Sequence, residues 1–208
     1  MSNTTKSLSE IIHARHSVRK FDSSFSISKE EIENILSEAT SAPSSSNLQP
    51  WKFIVIQDAE VKKELRAIAY NQEQVETASA VIAVLGDTEM YRNAEQVHQS
   101  SLEVGFIDED RKKLLIDNVN KAYPYAPFEA RANIATFDAG LISMQLMLIA
   151  KEKGYDTVTM GGFDKQKLIE KFNINERYIP IVLIALGKAA APAYKTTRLP
   201  IEQLVQFV

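Results

Sequence analysis

Arg15-His16-Ser17-Val18-Arg19-Lys20-Phe21 is the stretch from which the rest of the chain is read. Two arginines, a lysine and a hydroxyl fall within seven residues that end on an aromatic. Arginine makes forked, charge-assisted hydrogen bonds to oxyanions, each worth roughly 1.5–3 kcal/mol when shielded from water. Ser17 adds a short neutral donor. The run therefore fits a grip on a phosphorylated ligand. Taken alone it also fits a solvated basic helix end, because cations are stabilised beside a helix C-terminus.

Working outward, Ser7-Leu8-Ser9-Glu10 has the form of a capping box and predicts a short helix leading into the basic run. Ser28-Lys29-Glu30-Glu31 repeats the form, and Ile32, Ile35, Leu36 and Ala39 mark one helical face. Pro43 ends that helix near Ala42, since the residue before a proline avoids the helical region. Pro43-Ser44-Ser45-Ser46-Asn47-Leu48-Gln49-Pro50-Trp51 is then a loop dense in hydroxyl and amide donors.

Lys52–Ile56 and Ala80–Leu85 read as buried strands, separated by a helix that Asp58 caps and that ends at Tyr70-Asn71-Gln72. A charged excursion of one or two helices, expected to be mobile, covers residues 90 to 121. Tyr123-Pro124-Tyr125-Ala126-Pro127-Phe128 interrupts it. Ala135 to Ala150 contains no lysine, arginine or glutamate; a helix apolar on nearly all sides needs enclosure, in part by a second subunit. Tyr155 to Met160 predicts a short strand, Gly161-Gly162 a close backbone approach before an N-cap at Asp164, and Ile179 to Leu186 the strongest strand. The tail carries Lys195-Thr196-Thr197-Arg198 and then Ile201, Leu204, Val205 and Val208 at helical spacing, which predicts that it docks on something.

The 208 residues, 45 % apolar and 25 % charged, describe one globular domain spanning 1–208. A net charge of −3 argues against nucleic acid, whose binding rests on phosphate neutralisation. The absence of cysteine removes disulfides, thiolate nucleophiles and iron–sulfur clusters. His13, His16 and His98 lack metal-ligand spacing, so no metal is expected and redox chemistry would need an organic cofactor. Residues 1 to 9 hold no secretory apolar segment, and no uninterrupted apolar run spans a bilayer. A soluble, cytoplasmic protein without a membrane partner is the expectation. No triad order, paired-carboxylate motif or phosphate-loop motif is present. Four donor clusters remain, with few proton shuttles: the site of an anionic cofactor.

From about Leu8 to Pro200 the chain resembles the nitroreductase family of FMN-dependent NAD(P)H oxidoreductases. The resemblance is carried by the Arg15–Phe21 run, by Ala42 through Trp51, and in support by Gly161-Gly162-Phe163 and Arg198-Leu199-Pro200. It implies an α+β fold with a central mixed or antiparallel sheet flanked by helices. It further implies a homodimer with an exchanged C-terminal arm at about 189–208 and one FMN in each site, built from both chains.

By resemblance, Arg15, Ser17 and Arg198 hold the phosphate, with His16 nearby, and Arg19 lies by the flavin pyrimidine edge. Pro43, Ser44 and Ser45 come from the partner chain, with Asn47 alongside. Asn71 and Gln74 meet the polar edge of the ring, and Gly161 and Gly162 turn backbone N–H groups towards it. Hydride passes from NAD(P)H to flavin N5 and on to a nitroaromatic, quinone or similar flat acceptor, by a ping-pong mechanism. Ser46, Tyr70, Tyr123, Tyr125 and Phe128 are candidates to touch the acceptor. Many relatives carry Glu-Gly at Gly161-Gly162, and some a lysine at Gln74. A flavin-binding sensor without turnover, and a flavin dehydrogenase or dehalogenase, are the alternatives.

Overall fold

A computed structural model describes residues 7–208; the reading of a secretory segment falls mostly on residues 1–6, outside them. Ser7 and Glu10 close the expected capping box, starting α1 (Leu8–Ala14). Ser28 caps α2 (Lys29–Ala39) by accepting from the Glu31 N–H. β1 (Trp51–Ile56), α3 (Ala59–Ile68) and β2 (Ala80–Asp87) follow, with a five-residue helix, α4 (Glu73–Thr77), that periodicity does not announce.

The excursion folds as α5 (Ala94–Glu103) and α6 (Glu109–Ala122), the latter running into a 3-10 turn at Tyr123–Tyr125. The apolar helix is longer than the Ala135–Ala150 stretch that announces it: α7 runs Phe128–Glu152. Gly154, at φ 80, takes the chain from α7 into β3 (Asp156–Met160). Asp164 caps α8 (Lys165–Phe172), and β4 (Tyr178–Gly187) completes the sheet.

The sheet is antiparallel throughout, in the order β1-β2-β4-β3. Pro180 sits inside β4, yet the register shifts between Val84 and Leu85, and that irregularity accommodates the missing N–H. β2 is buried on both faces because alternate side chains enter two different cores. Val81, Ala83 and Leu85 pack with Leu65, Val75 and Leu168 of α3, α4 and α8. Ala80, Ile82 and Val84 pack with Ile32 and Ile35 of α2 and Ile142 and Leu146 of α7. Gly86 permits the close approach of α7, since a Cβ there would lie 3.1 Å from Ala135 Cβ.

α7 is long and apolar enough to cross a membrane, which counting uninterrupted apolar residues does not reveal, because Thr136, Asp138, Ser143 and Gln145 break the run. Only one side of it is enclosed. Ala135, Ala139, Ile142, Leu146 and Ala150 are buried, whereas Phe137 is 65 % exposed and Met144 39 %. The tail also differs from its helical spacing. It forms only a 3-10 turn at Ile201–Gln203, with Leu199, Ile201, Leu204 and Phe207 exposed. A helix that short does not persist without a surface to pack on.

Candidate functional site

The basic run leaves α1 at Arg15, whose backbone is already extended, and runs along the outer side of β3. Ser17 bridges Thr157, the Val18 N–H donates to the Thr157 carbonyl at 3.1 Å, and Phe21 bridges Ala189. Val18 and Phe21 enter the core; beside them His16 and Arg19 are exposed, while Arg15 and Ser17 are half-buried. His16 Nδ1 donates to the Arg15 carbonyl at 2.9 Å. Arg15 Nε is buried and has no hydrogen-bond partner among the described residues. A guanidinium nitrogen so placed is costly unless an anion reaches it.

Further along the same edge, Arg19 and Gln74 line one cavity of about 270 Å³ with Pro192 and Tyr194. Gln74 is buried, and its amide donates to Gln72 Oε1 at 3.0 Å. Gln72 in turn donates to the Gly162 carbonyl at 2.8 Å, a link that sequence reasoning missed. The turn is strained to achieve this: Tyr70 and Asn71 both have positive φ, 54° and 61°. Tyr70 lies beside Gly162, its ring carbon 3.9 Å from where a Cβ would be. Gly161 has open space around it. Neither glycine is among those with positive φ, so what they provide is room rather than an unusual turn. Arg15, His16, Ser17, Arg19, Tyr70, Asn71, Gln74, Gly161 and Gly162 thus share one side of the molecule, the β3 edge.

The second donor group lies elsewhere. Ser44 Oγ accepts from the Gln49 N–H at 3.0 Å, and Ser45 donates twice to Asp138 of α7, from N at 2.9 Å and from Oγ at 3.2 Å. Ser46, Asn47 and Gln49 all have positive φ, so the loop needs these anchors. Asn93 adds one, donating to the Leu48 carbonyl at 2.9 Å. Asp138 is fully buried. Burial pushes its carboxyl above the usual range, and the two bonds from Ser45 pull the other way. The sequence carried a signal for it: one acid inside an otherwise uncharged helix demands a donor. Ser46 Oγ meets the Tyr123 hydroxyl at 3.0 Å. Tyr125 and Phe128 stay exposed, 84 % and 53 %.

The two groups occupy opposite corners of the sheet. Ser17 pairs with Thr157, Thr157 with Leu186 and Leu186 with Ala80; at the other end Trp51, just after the loop, pairs with Gly86. That is four strand steps across, about 19 Å, and six residues along, about 20 Å. Pro43 to Asn47 therefore cannot meet Arg15 and Ser17 within one chain. Arg198 lies on an exposed tail, bonded to Thr196 Oγ1 and the Thr197 carbonyl.

Residues 12–188 match the nitroreductase family. The chain is 43 % identical over 204 residues, 98 % of each chain, to the "putative NAD(P)H nitroreductase YodC" of Bacillus subtilis (strain 168). It is 33 % identical to the CLA biosynthesis enone reductase of Lactiplantibacillus plantarum, over 97 % of this chain and 94 % of that one. Among solved structures, a "putative nitroreductase in complex with FMN" from Exiguobacterium sibiricum 255-15 superposes with a TM-score of 0.94 at 40 % identity, covering both chains completely.

Proposed function

The chain belongs to the nitroreductase family, and on that premise we propose that it is an FMN-dependent oxidoreductase carrying hydride from NAD(P)H to a flat acceptor such as a nitroaromatic or quinone. When bound, FMN supplies a ring nitrogen that accepts hydride from NAD(P)H and yields it to the acceptor in a ping-pong cycle. The observation that carries this reading is the pair of donor clusters at opposite corners of the sheet. Each is half of an anion-binding, ring-binding site, and a second copy of the chain completes it.

On this reading Arg15, Ser17 and the arm's Arg198 hold the phosphate, with His16 beside them. The unpartnered buried Arg15 Nε fits that role. Arg19 holds a fixed positive charge by the pyrimidine edge, where it favours the electron-rich reduced ring. Asn71 and Gln74 bond the polar edge, and Gly161 and Gly162 let it approach their backbone. Pro43, Ser44, Ser45 and Asn47 are contributed across the dimer. Ser46, Tyr70, Tyr123, Tyr125 and Phe128 border the acceptor.

The exposed apolar side of α7 and the apolar tail supply surface for a homodimer. Residues 1–208 form one FMN-binding domain whose arm, about 189–208, docks on the partner. Dependence on NAD(P)H suits a cytoplasmic enzyme.

Purified protein should be yellow and should bleach under anaerobic NADH or NADPH. A colourless protein that takes up no FMN defeats the reading; a yellow one that stays oxidised with both nucleotides is a flavin-binding protein without turnover. Light scattering should give twice the 23.3 kDa chain mass.

A further inference from the structure

Tyr70 and Asn71 stand side by side at positive φ just past the end of α3. Outside glycine, that backbone state persists only where the surroundings hold it. Much of the holding falls to Arg66, a side chain to which the cofactor roles above assign nothing. From the last turn of α3 it donates through a terminal nitrogen to Glu76 Oε2 of α4 at 2.8 Å, and through Nε, more weakly, to the Asn71 carbonyl at 3.4 Å. The Arg66 carbonyl accepts from the Asn71 N–H at 2.9 Å. One residue thus grips the turn at both polar groups of the Asn71 backbone and reaches across it to α4.

We propose that Arg66 is a positioning residue for the flavin: by holding the segment from Asn71 to Glu76 it places Asn71 and Gln74 at the polar edge of the ring, without touching the ring itself. The proposal rests on the flavin-enzyme reading. Gln74 bonds Gln72, and Gln72 bonds the Gly162 carbonyl, so a displaced turn carries the whole ring-edge set with it. The phosphate grip hangs from a different element, since Ser17 is bridged to Thr157 of β3. Arg66 therefore acts on one end of the ligand only. The Arg66 and Glu76 side chains are 37 % and 33 % exposed, and ion pairs so open to water contribute little to folding. Opening the turn also releases its backbone strain, which offsets the bonds lost. The pair matters for geometry more than for stability.

The test is fluorescence titration of the flavin-free, full-length protein with FMN and with riboflavin, which has the same ring and no phosphate. Arg66→Met should weaken both flavins by the same factor, about tenfold, the effect of misplacing one or two ring-edge hydrogen bonds. The ratio of the two affinities, which reads the phosphate grip, should stay at its wild-type value, and so should the urea midpoint of the flavin-free protein. Arg15→Ala should do the reverse, lowering FMN affinity far more than that of riboflavin. Arg66→Lys keeps the charge without the fork. It should bind both flavins with affinities between those of wild type and Arg66→Met, and it carries the same comparison if Arg66→Met does not fold. Wild-type affinities in Arg66→Met, or a loss that falls on FMN and spares riboflavin, overturn the proposal. A wild-type protein that takes up neither flavin overturns the flavin-enzyme reading, and the proposal with it.

Discussion

Asp138 accepts both hydrogen bonds that Ser45 can donate, at 2.9 and 3.2 Å, across 93 residues of chain. A buried carboxylate on the most apolar helix thereby fixes the first turn of a loop that contains three residues at positive φ. The loop's shape is set by α7 as much as by its own sequence.

Asp138→Ala should cost about 1–3 kcal/mol of stability, the penalty of leaving the Ser45 N–H unpaired. Through the freed loop it should also lower FMN affinity about tenfold. Asp138→Asn should retain both properties, because its amide can accept from Ser45 N and donate to Ser45 Oγ. Urea unfolding and flavin titration measure the two effects, and equal losses in both variants would show that the charge, not the geometry, matters.

Gly161 separates binding from folding. Nothing lies within 4 Å of a Cβ added there, so Gly161→Val should leave the stability of the flavin-free protein within about 0.5 kcal/mol of wild type. FMN affinity should drop at least about tenfold if the ring approaches this backbone. Unchanged affinity in a stable Gly161→Val protein removes the glycine from the site.

Arg19→Ala should weaken FMN binding or make the flavin harder to reduce, because the reduced ring carries extra negative charge. A loss of about ten- to a hundredfold in affinity matches one charge-assisted contact shielded from water. Spectroelectrochemical titration reads the potential directly; unchanged occupancy and potential would contradict the role.

Deleting Lys195–Val208 should weaken the dimer and the flavin site together. The segment contains Arg198 and the exposed Leu199, Ile201, Leu204 and Phe207. Size-exclusion and absorbance profiles identical to wild type would leave the arm without a role.

His98 links stability to pH. Burial depresses its pKa below the ordinary 6.5, so the unfolded chain takes up a proton before the folded one does. The stabilisation is complete above pH 6.5 and is lost as pH falls from there through the lowered folded value. His98→Gln should flatten urea-midpoint stability against pH below 6.5; a slope equal to wild type would assign it to other groups.

Local patterns reached far into this fold. Capping residues Ser7, Ser28, Asp58 and Asp164 start helices where the sequence puts them, and runs of apolar residues locate all four strands. These signals are legible because each depends on neighbours within a turn or a strand. α4 was not legible, since five residues carry too little periodicity. Nor was the full extent of α7, whose first turns, Phe128 to Asn133, lie outside the uncharged apolar stretch.

For the site, the sequence by itself determined the kinds of donor present and their grouping into four clusters. Only the tertiary structure decided which clusters meet. Gly162 comes to Gln72 through a hydrogen bond that spans 90 residues, with Gln74 bonded in turn to Gln72, and Asp138 comes to Ser45 across 93. The Ser44–Asn47 loop and the Arg15–Arg19 run are held at opposite corners of the sheet. Strand order and register set those separations, and both arise from packing two cores against one sheet, a property of the whole chain that no short window of sequence contains.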